Sequence, residues 1–282
     1  MSQDTLVATD LDRTLIYSRA AIGTANAGDD VGPLRCVEWL DGHELSFMTE
    51  VAARSLETIS ASADLVPITT RTPAQFARVE LPGGTTRYAI TSNGGHIFVD
   101  GEPDKDWRLA VLTRIASDGS ALAEVLAGLQ QQAADDWVLN RKVADGLFCY
   151  LVVDLTRLPP EFLGSWTDWC AARGWVVSMQ GRKIYALPRS LTKESALAEV
   201  GRRSGAGRLL AAGDGALDAG FLALADAAIR PPHGELAELD WQAPNLRVAG
   251  AYGVLAGEEI SRWLGDQLDL TVERTSGIRR MF

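Results

Sequence analysis

Short apolar runs, each ending abruptly in a polar cluster, punctuate this chain. Leu6–Ala8 runs into Asp10-Leu-Asp12-Arg-Thr14, and Leu65–Ile68 into Thr69-Thr70-Arg71. Arg87–Thr91 meets Ser92-Asn93-Gly94-Gly95, and Arg208–Ala211 meets Gly213-Asp214-Gly-Ala-Leu217-Asp218. Runs of this length bounded by turn residues read as strands. Between them the period changes. Val51, Ala52, Ser55, Leu56 and Ile59 recur at helical spacing, which predicts a helix over Thr49–Ala61 with Thr49 as its N-cap. Further helices are expected over Ser190–Arg203, Ala219 to about Ala225 and Glu258–Gln267, with a strand near Leu246–Val248. Strands alternating with helices predict an α/β body.

Two stretches interrupt that alternation. Between Thr14 and Thr49 the segments Arg35–Leu40 and Glu44–Phe47 flank Asp41-Gly42, a hairpin turn signal, so residues 15–48 read as a β flap over the first strand end. After the Asp100-Gly101 turn, residues 103–187 change texture. Helix-like Leu109–Ala116, Ser120–Ala133 and Pro160–Arg173 mix there with strand-like Leu147–Val153, Trp175–Met179 and Lys183–Leu187. This reads as an α+β module inserted into a body made of residues 1–102 and 188–282. Within it, Arg182 and Lys183 on the last strand could reach a substrate, but a solvated strand edge is the favoured reading. The tail after Asp269 reads as poorly ordered.

Composition narrows the function. Hydrophobic residues are 46% and charged residues 23% of 282, the balance of a globular protein with ample core material. The net charge of −10 argues against a nucleic-acid surface, which needs a basic footprint. No apolar run reaches membrane-spanning length, and Met1-Ser-Gln-Asp lacks the character of a signal peptide. Cys36, Cys149 and Cys170 are few and widely spaced, which fits free thiols in the cytoplasm. No pattern assigns an oligomeric state.

The chemistry lies at the predicted strand ends. In an extended segment Asp10 and Asp12 start on one side of the chain, and two close carboxylates require a cation, a shared proton or open solvent. The other clusters add Thr69, Thr70 and Arg71, Lys193 at a helix start, and the acids Asp214 and Asp218. Carboxylates suit a hard divalent cation. A lysine and hydroxyls suit the charge that spreads over a phosphoryl group in transfer. A cation at a helix start runs against the helix dipole, which favours a functional role for Lys193.

This ordered set resembles the four motifs of the haloacid dehalogenase (HAD) superfamily. Asp10-Leu-Asp12-Arg-Thr14 is similar to the first, Thr69-Thr70-Arg71 to the second, Lys193 in Thr192-Lys-Glu-Ser to the third, and Gly213-Asp214…Asp218 to the fourth. The insertion after the third strand resembles the branch with a C2-type cap, such as Cof-like and sucrose-phosphate phosphatases, as does the Asn93-Gly94 turn before it. The resemblance implies a Rossmann-like core with a parallel central sheet and an α+β cap. It implies an Mg²⁺-dependent phosphatase acting on a small phosphorylated metabolite. Asp10 would be nucleophile and metal ligand, and Asp12 general acid and base, with its carbonyl on the metal. Asp214 and Asp218 would complete the metal site, while Thr69, Thr70, Arg71, Asn93 and Lys193 would serve the phosphoryl group. The Asp12 role asks for a carboxyl protonated near neutral pH, which like-charged neighbours would support. A phosphomutase or phosphotransferase shares the same first step, and a phosphometabolite-binding regulator would keep the fold without turnover. Gly215 and Leu217 stand where the family usually has Ser and often Asn, Thr70 where it often has Gly, and Arg230-Pro-Pro-His233-Gly departs from the Cof-like continuation.

Overall fold

A computed structural model describes residues 4–23 and 30–279, with side chains to residue 268. Strand β1 (Thr5–Thr9) leads into the flap, built from β2 (Tyr17–Ser18), β3 (Leu34–Leu40) and β4 (His43–Thr49) in the antiparallel order β2-β4-β3. Asp41 and Gly42 join β3 to β4 with φ of 51° and 78°, as a tight hairpin turn requires. Helix α1 (Glu50–Ser62) follows, capped by the Thr49 hydroxyl, which accepts from Ala52 N–H. Next come β5 (Asp64–Pro67), the short α2 (Pro73–Phe76), and an antiparallel set of β6 (Tyr88–Thr91), β7 (His96–Val99) and β8 (Glu102–Pro103).

The chain then builds α3 (Lys105–Ser117), α4 (Leu122–Gln132), β9 (Val138–Ala144), β10 (Phe148–Val153), α5 (Phe162–Ala171), β11 (Trp175–Gln180) and β12 (Lys183–Pro188). Their strands form one antiparallel sheet, order β11-β12-β10-β9, whose helix-covered face carries a core of its own around Trp166, Trp175, Leu151 and Cys149. The return segment supplies α6 (Lys193–Ser204), β13 (Arg208–Ala212), α7 (Ala219–Leu224), β14 (Ala227–Arg230), α8 (Glu235–Glu238), β15 (Leu246–Val248) and α9 (Val254–Arg279).

Five of these strands form a parallel sheet in the order β15-β14-β13-β1-β5. Alternate side chains of β1 feed its two faces. Val7 joins the cluster under α1 and α9 with Leu56, Ile59, Ile260 and Leu264. Leu6 and Ala8 join the cluster under α6 and α7 with Leu197, Val200, Phe221 and Leu222. Burial on both faces is why parallel strands read as unbroken apolar runs.

The structure departs from the sequence reading in several elements. Residues 87–91 do not extend the parallel sheet as a full strand: β6 pairs antiparallel with β7 and touches the sheet through one bridge, Ile68 to Ile90. Strands β9 and β14 were not anticipated. The first is an edge strand with an exposed middle, and the second is only four residues long. Helix α9 begins four residues earlier than expected and stays helical to Arg279, through part of the tail expected to be poorly ordered; residues 280–282 lie outside the described residues.

Candidate active site

Asp10 follows β1, and its N–H bonds the Ala212 carbonyl at the end of β13, 2.9 Å away. Two neighbouring parallel strands therefore deliver Asp10 and the Gly213–Asp218 loop to one sheet edge, where open α/β folds place their ligands. Asp10, Asp214 and Asp218 are all buried, and one carboxylate oxygen from each lies within 4.8 Å of the others.

Lys193 is the first residue of α6 and is 1% exposed. Its Nζ donates to Asp10 Oδ1 and to Asp218 Oδ1, each at 2.6 Å. The second oxygen of Asp218 accepts the N–H groups of Asp214 (3.0 Å) and Gly215 (2.9 Å). Asp218 thus shapes the loop and shares Lys193 with Asp10, and all three carboxylates stand where a cation could be held. Burial is the main reason the Asp10 carboxyl is pushed up to about 7, with Lys193 opposing and Asp218 and Asp12 reinforcing. Burial and the charges of Asp10 and Asp218 push Asp214 well above the usual carboxylate range. A pair of buried carboxylates that resist ionising alone, at hard-oxygen sites, fits a divalent cation such as Mg²⁺. Glycines let the backbone close in: a Cβ at Gly234 would lie 2.5 Å from Asp214 Oδ2, and one at Gly213 2.7 Å from Asp218 Cβ.

Asp12 turns away from this trio. Arg71 Nε and Nη2 donate to its two oxygens at 2.8 Å each. Burial would raise the Asp12 carboxyl, but the hydrogen bonds and charge of Arg71 outweigh it and hold the group below its ordinary value. In this state Asp12 is a carboxylate, a correction to the expectation that like-charged neighbours would keep it protonated. The other side of Arg71 meets Glu38 of the flap, Nη2 to Oε2 at 3.0 Å and Nη1 to Oε1 at 2.7 Å. Glu38 is almost fully buried and also takes Arg78 Nη2 (3.0 Å) and Ser46 Oγ (2.5 Å). The flap is therefore structurally joined to the site. Nothing in the sequence pattern singled out Glu38.

The remaining expected residues divide. The Thr69 hydroxyl is buried and accepts Arg71 N–H at 3.1 Å. Thr70 shares a hydrogen bond with Tyr185 of β12. Asn93 has φ of 56° inside a left-handed turn, and its amide donates to the Leu191 carbonyl at 2.7 Å, tying that turn to the approach of α6. Arg13, at φ of 63° where glycine is the easier residue, reaches Asp214 at 3.9 Å.

The inserted sheet closes over this edge. Glu235 at the start of α8 accepts Ser178 Oγ (2.6 Å) and Met179 N–H (3.1 Å) from β11 and Ala216 N–H (3.1 Å) from the acidic loop. Opposite it, Ser92 Oγ and His96 Nε2 hold Asp145 in the β9–β10 turn. These contacts account for the two unusual loop residues. Leu217 packs against the core of the inserted module, and the Gln180 amide lies 2.7 Å from where a Cβ on Gly215 would be. The cap occupies the space that a side chain at 215 would need.

No family model and no curated protein matches the chain at the level of sequence. Solved structures do match in fold. The sucrose-phosphatase of Synechocystis sp. PCC6803, solved with sucrose and phosphate, is 15% identical, covers 93% of this chain and 98% of its own, and superposes with a TM-score of 0.61. The C-terminal domain of C. albicans trehalose-6-phosphate phosphatase is 12% identical over 94% and 93% of the two chains, TM-score 0.58. A haloacid dehalogenase-like hydrolase from B. subtilis is 13% identical over 91% and 98%, TM-score 0.52. Matches this long take in the parallel sheet and the inserted module together. The chain has the fold of the HAD superfamily phosphatases.

Proposed function

We propose that this protein is a Mg²⁺-dependent phosphomonoester hydrolase of the cytoplasm, acting on a small, sugar-phosphate-like metabolite. Residues 1–102 and 188–282 serve as its core and 103–187 as its cap. The observation that carries the reading is Lys193 locked between Asp10 and Asp218 beside Asp214, with Asp12 and Arg71 at the same edge. The sugar-phosphate class is taken from the substrates named for the sucrose- and trehalose-phosphate phosphatases of the same fold.

The residues divide the work. Asp10 and Asp214, with the Asp12 carbonyl and with Asp218 ligating through water or orienting a ligand, would hold Mg²⁺, which when bound neutralises phosphoryl oxygens and lets Asp10 ionise beside them. Lys193 and the Thr69 hydroxyl orient those oxygens. An Asp10 carboxylate oxygen attacks phosphorus, the bond to the leaving oxygen breaks, and Asp12 gives that oxygen its proton. The dianion arriving next to Asp12 raises its carboxyl, so the group enters this step protonated. It leaves as the carboxylate that Arg71 stabilises, ready to take a proton from the water that cleaves the aspartyl-phosphate and frees phosphate and Asp10.

A phosphomonoester panel with Mg²⁺, read as released phosphate, tests the proposal. Turnover that disappears in Asp10→Asn is expected; no turnover of any ester by the parent protein overturns it. Transfer to a second sugar hydroxyl in place of release would identify a phosphotransferase.

A further inference from the structure

The cations around the site are almost all matched. Arg71 faces Asp12 and Glu38, Lys193 faces Asp10 and Asp218, and Arg13 faces Asp214. Lys183 is different: among the described residues it forms no ion pair. It opens β12, opposite Val152 and Gln180, and Tyr185, two residues on, stands opposite Tyr150 and Ser178. Alternation puts these side chains on one face. That face looks onto the body, since Ser178 bonds Glu235, Tyr185 bonds Thr70 and Gln180 abuts Gly215. The Lys183 ammonium lies 5.9 Å from the Tyr150 ring centre, close enough to Asp12 and Arg71 to feel both charges.

The sheet itself supplies no partner. Strands β9 to β12 contain no Asp or Glu, in a chain of net charge −10. Lys142, opposite Tyr150 on β9, adds a second cation to the same face, also without an ion pair among the described residues. The anions nearest this face come from the body and are already engaged, Asp12 by Arg71 and Glu235 by Ser178, Met179 and Ala216, so the Lys183 ammonium is left for an anion that arrives with the ligand. The phosphoryl end already has Lys193. Lys183 belongs to the side of Asp12, the residue that serves the leaving oxygen.

Building on the phosphatase reading, we propose that the substrate's leaving group carries its own anionic oxygen group, a carboxylate or a second phosphate, and that Lys183 is the specificity-determining residue that binds it. The tyrosine pair walls the same space, with Tyr150 and Tyr185 ring centres 5.2 Å apart.

Matched esters test this with Mg²⁺ present. Glycerol 3-phosphate against 3-phosphoglycerate varies a carboxylate, and fructose 6-phosphate against fructose 1,6-bisphosphate varies a phosphate. In at least one pair the anionic member is expected to have kcat/KM about ten-fold higher, the scale of one charge-assisted contact. Lys183→Met should abolish that ratio through KM, and Lys183→Arg should retain most of it. Equal kcat/KM within both pairs, or a ratio that survives Lys183→Met, overturns the inference while leaving the phosphatase reading intact. Calorimetric titration of the same esters into Asp10→Asn, with and without Lys183→Met, provides a readout independent of turnover. If nothing is hydrolysed but the anionic members bind more tightly through Lys183, the enzymatic reading fails and the anion site stands. If no ester binds, both fail.

Discussion

Arg71 grips both oxygens of Asp12 at 2.8 Å while its other edge rests on Glu38, so a flap carboxylate and the proposed proton carrier share one guanidinium. Arg71 is what holds the Asp12 carboxyl low against its burial. Replacing it with Met removes those hydrogen bonds and that charge and should raise the carboxyl. The limb of the pH–rate profile that belongs to Asp12 then moves to higher pH. Arg71→Lys keeps the charge and loses the fork, so it should fall between. The profile of kcat/KM across pH 4–9 for the three proteins is the measurement, and superimposable limbs would count against the assignment.

Asp10, pushed up to about 7, and Asp214, also raised by burial, make the metal-free fold sensitive to pH. Their unfolded carboxyls titrate near 4. A raised folded value means that this contribution to stability is complete below about pH 4 and is lost as pH rises through about 7. EDTA-treated protein should therefore melt at lower temperature at pH 7.5 than at pH 5.5. Mg²⁺ binds the ionised pair, so its stabilisation of the fold should grow over the same interval, reaching about 2.7 kcal/mol at a hundred times its Kd and appearing as a rise in Tm. Asp214→Asn should flatten both trends. Thermal melts with EDTA or Mg²⁺ at the two pH values decide it.

The groups in these two arguments were unequally visible in the sequence. Asp10, Asp12, Lys193, Asp214 and Asp218 sit on short motifs beside apolar strands, and local pattern found them. Glu38 was invisible because its partner Arg71 is 33 residues away and its own strand alternates like any surface hairpin. Lys183 read as a solvated strand edge because the face it shares with Tyr185 is fixed by cap-to-body docking, which no local period encodes. Helix α9 read short because Gly257 lowers helix propensity, yet the site demands it: a Cβ there would lie 2.8 Å from the Tyr17 ring. The parallel sheet was legible in its apolar runs, but β14 was too short and β9 too polar to register.

Glu235 ties β11 of the cap to the acidic loop through three hydrogen bonds. Glu235→Ala leaves Ser178, Met179 and Ala216 without their acceptor and should cost about 2 kcal/mol. Because Ala216 lies between Asp214 and Asp218, the variant should also need more Mg²⁺ for half-maximal turnover. Glu235→Gln keeps an acceptor oxygen and should recover much of both losses. Chemical denaturation and Mg²⁺ activation curves separate the two effects. A stability loss with unchanged Mg²⁺ dependence would confine Glu235 to holding the cap.

Glu38 offers the opposite test of the guanidinium it shares. Glu38→Ala removes a buried carboxylate facing Arg71, Arg78 and Ser46, leaving two arginines short of a partner. Breaking one side of such a pair costs on the order of 3 kcal/mol, or roughly 6–12 °C in Tm for a domain of this size. The effect on Asp12 has the other sign. With Glu38 gone, the whole charge of Arg71 falls to Asp12, whose carboxyl should drop further, so its limb of the profile moves to lower pH. Arg71→Met and Glu38→Ala are thus expected to shift one limb in opposite directions, while both lower stability. A purely structural role for the trio would lower Tm in both variants and leave the limb where it was.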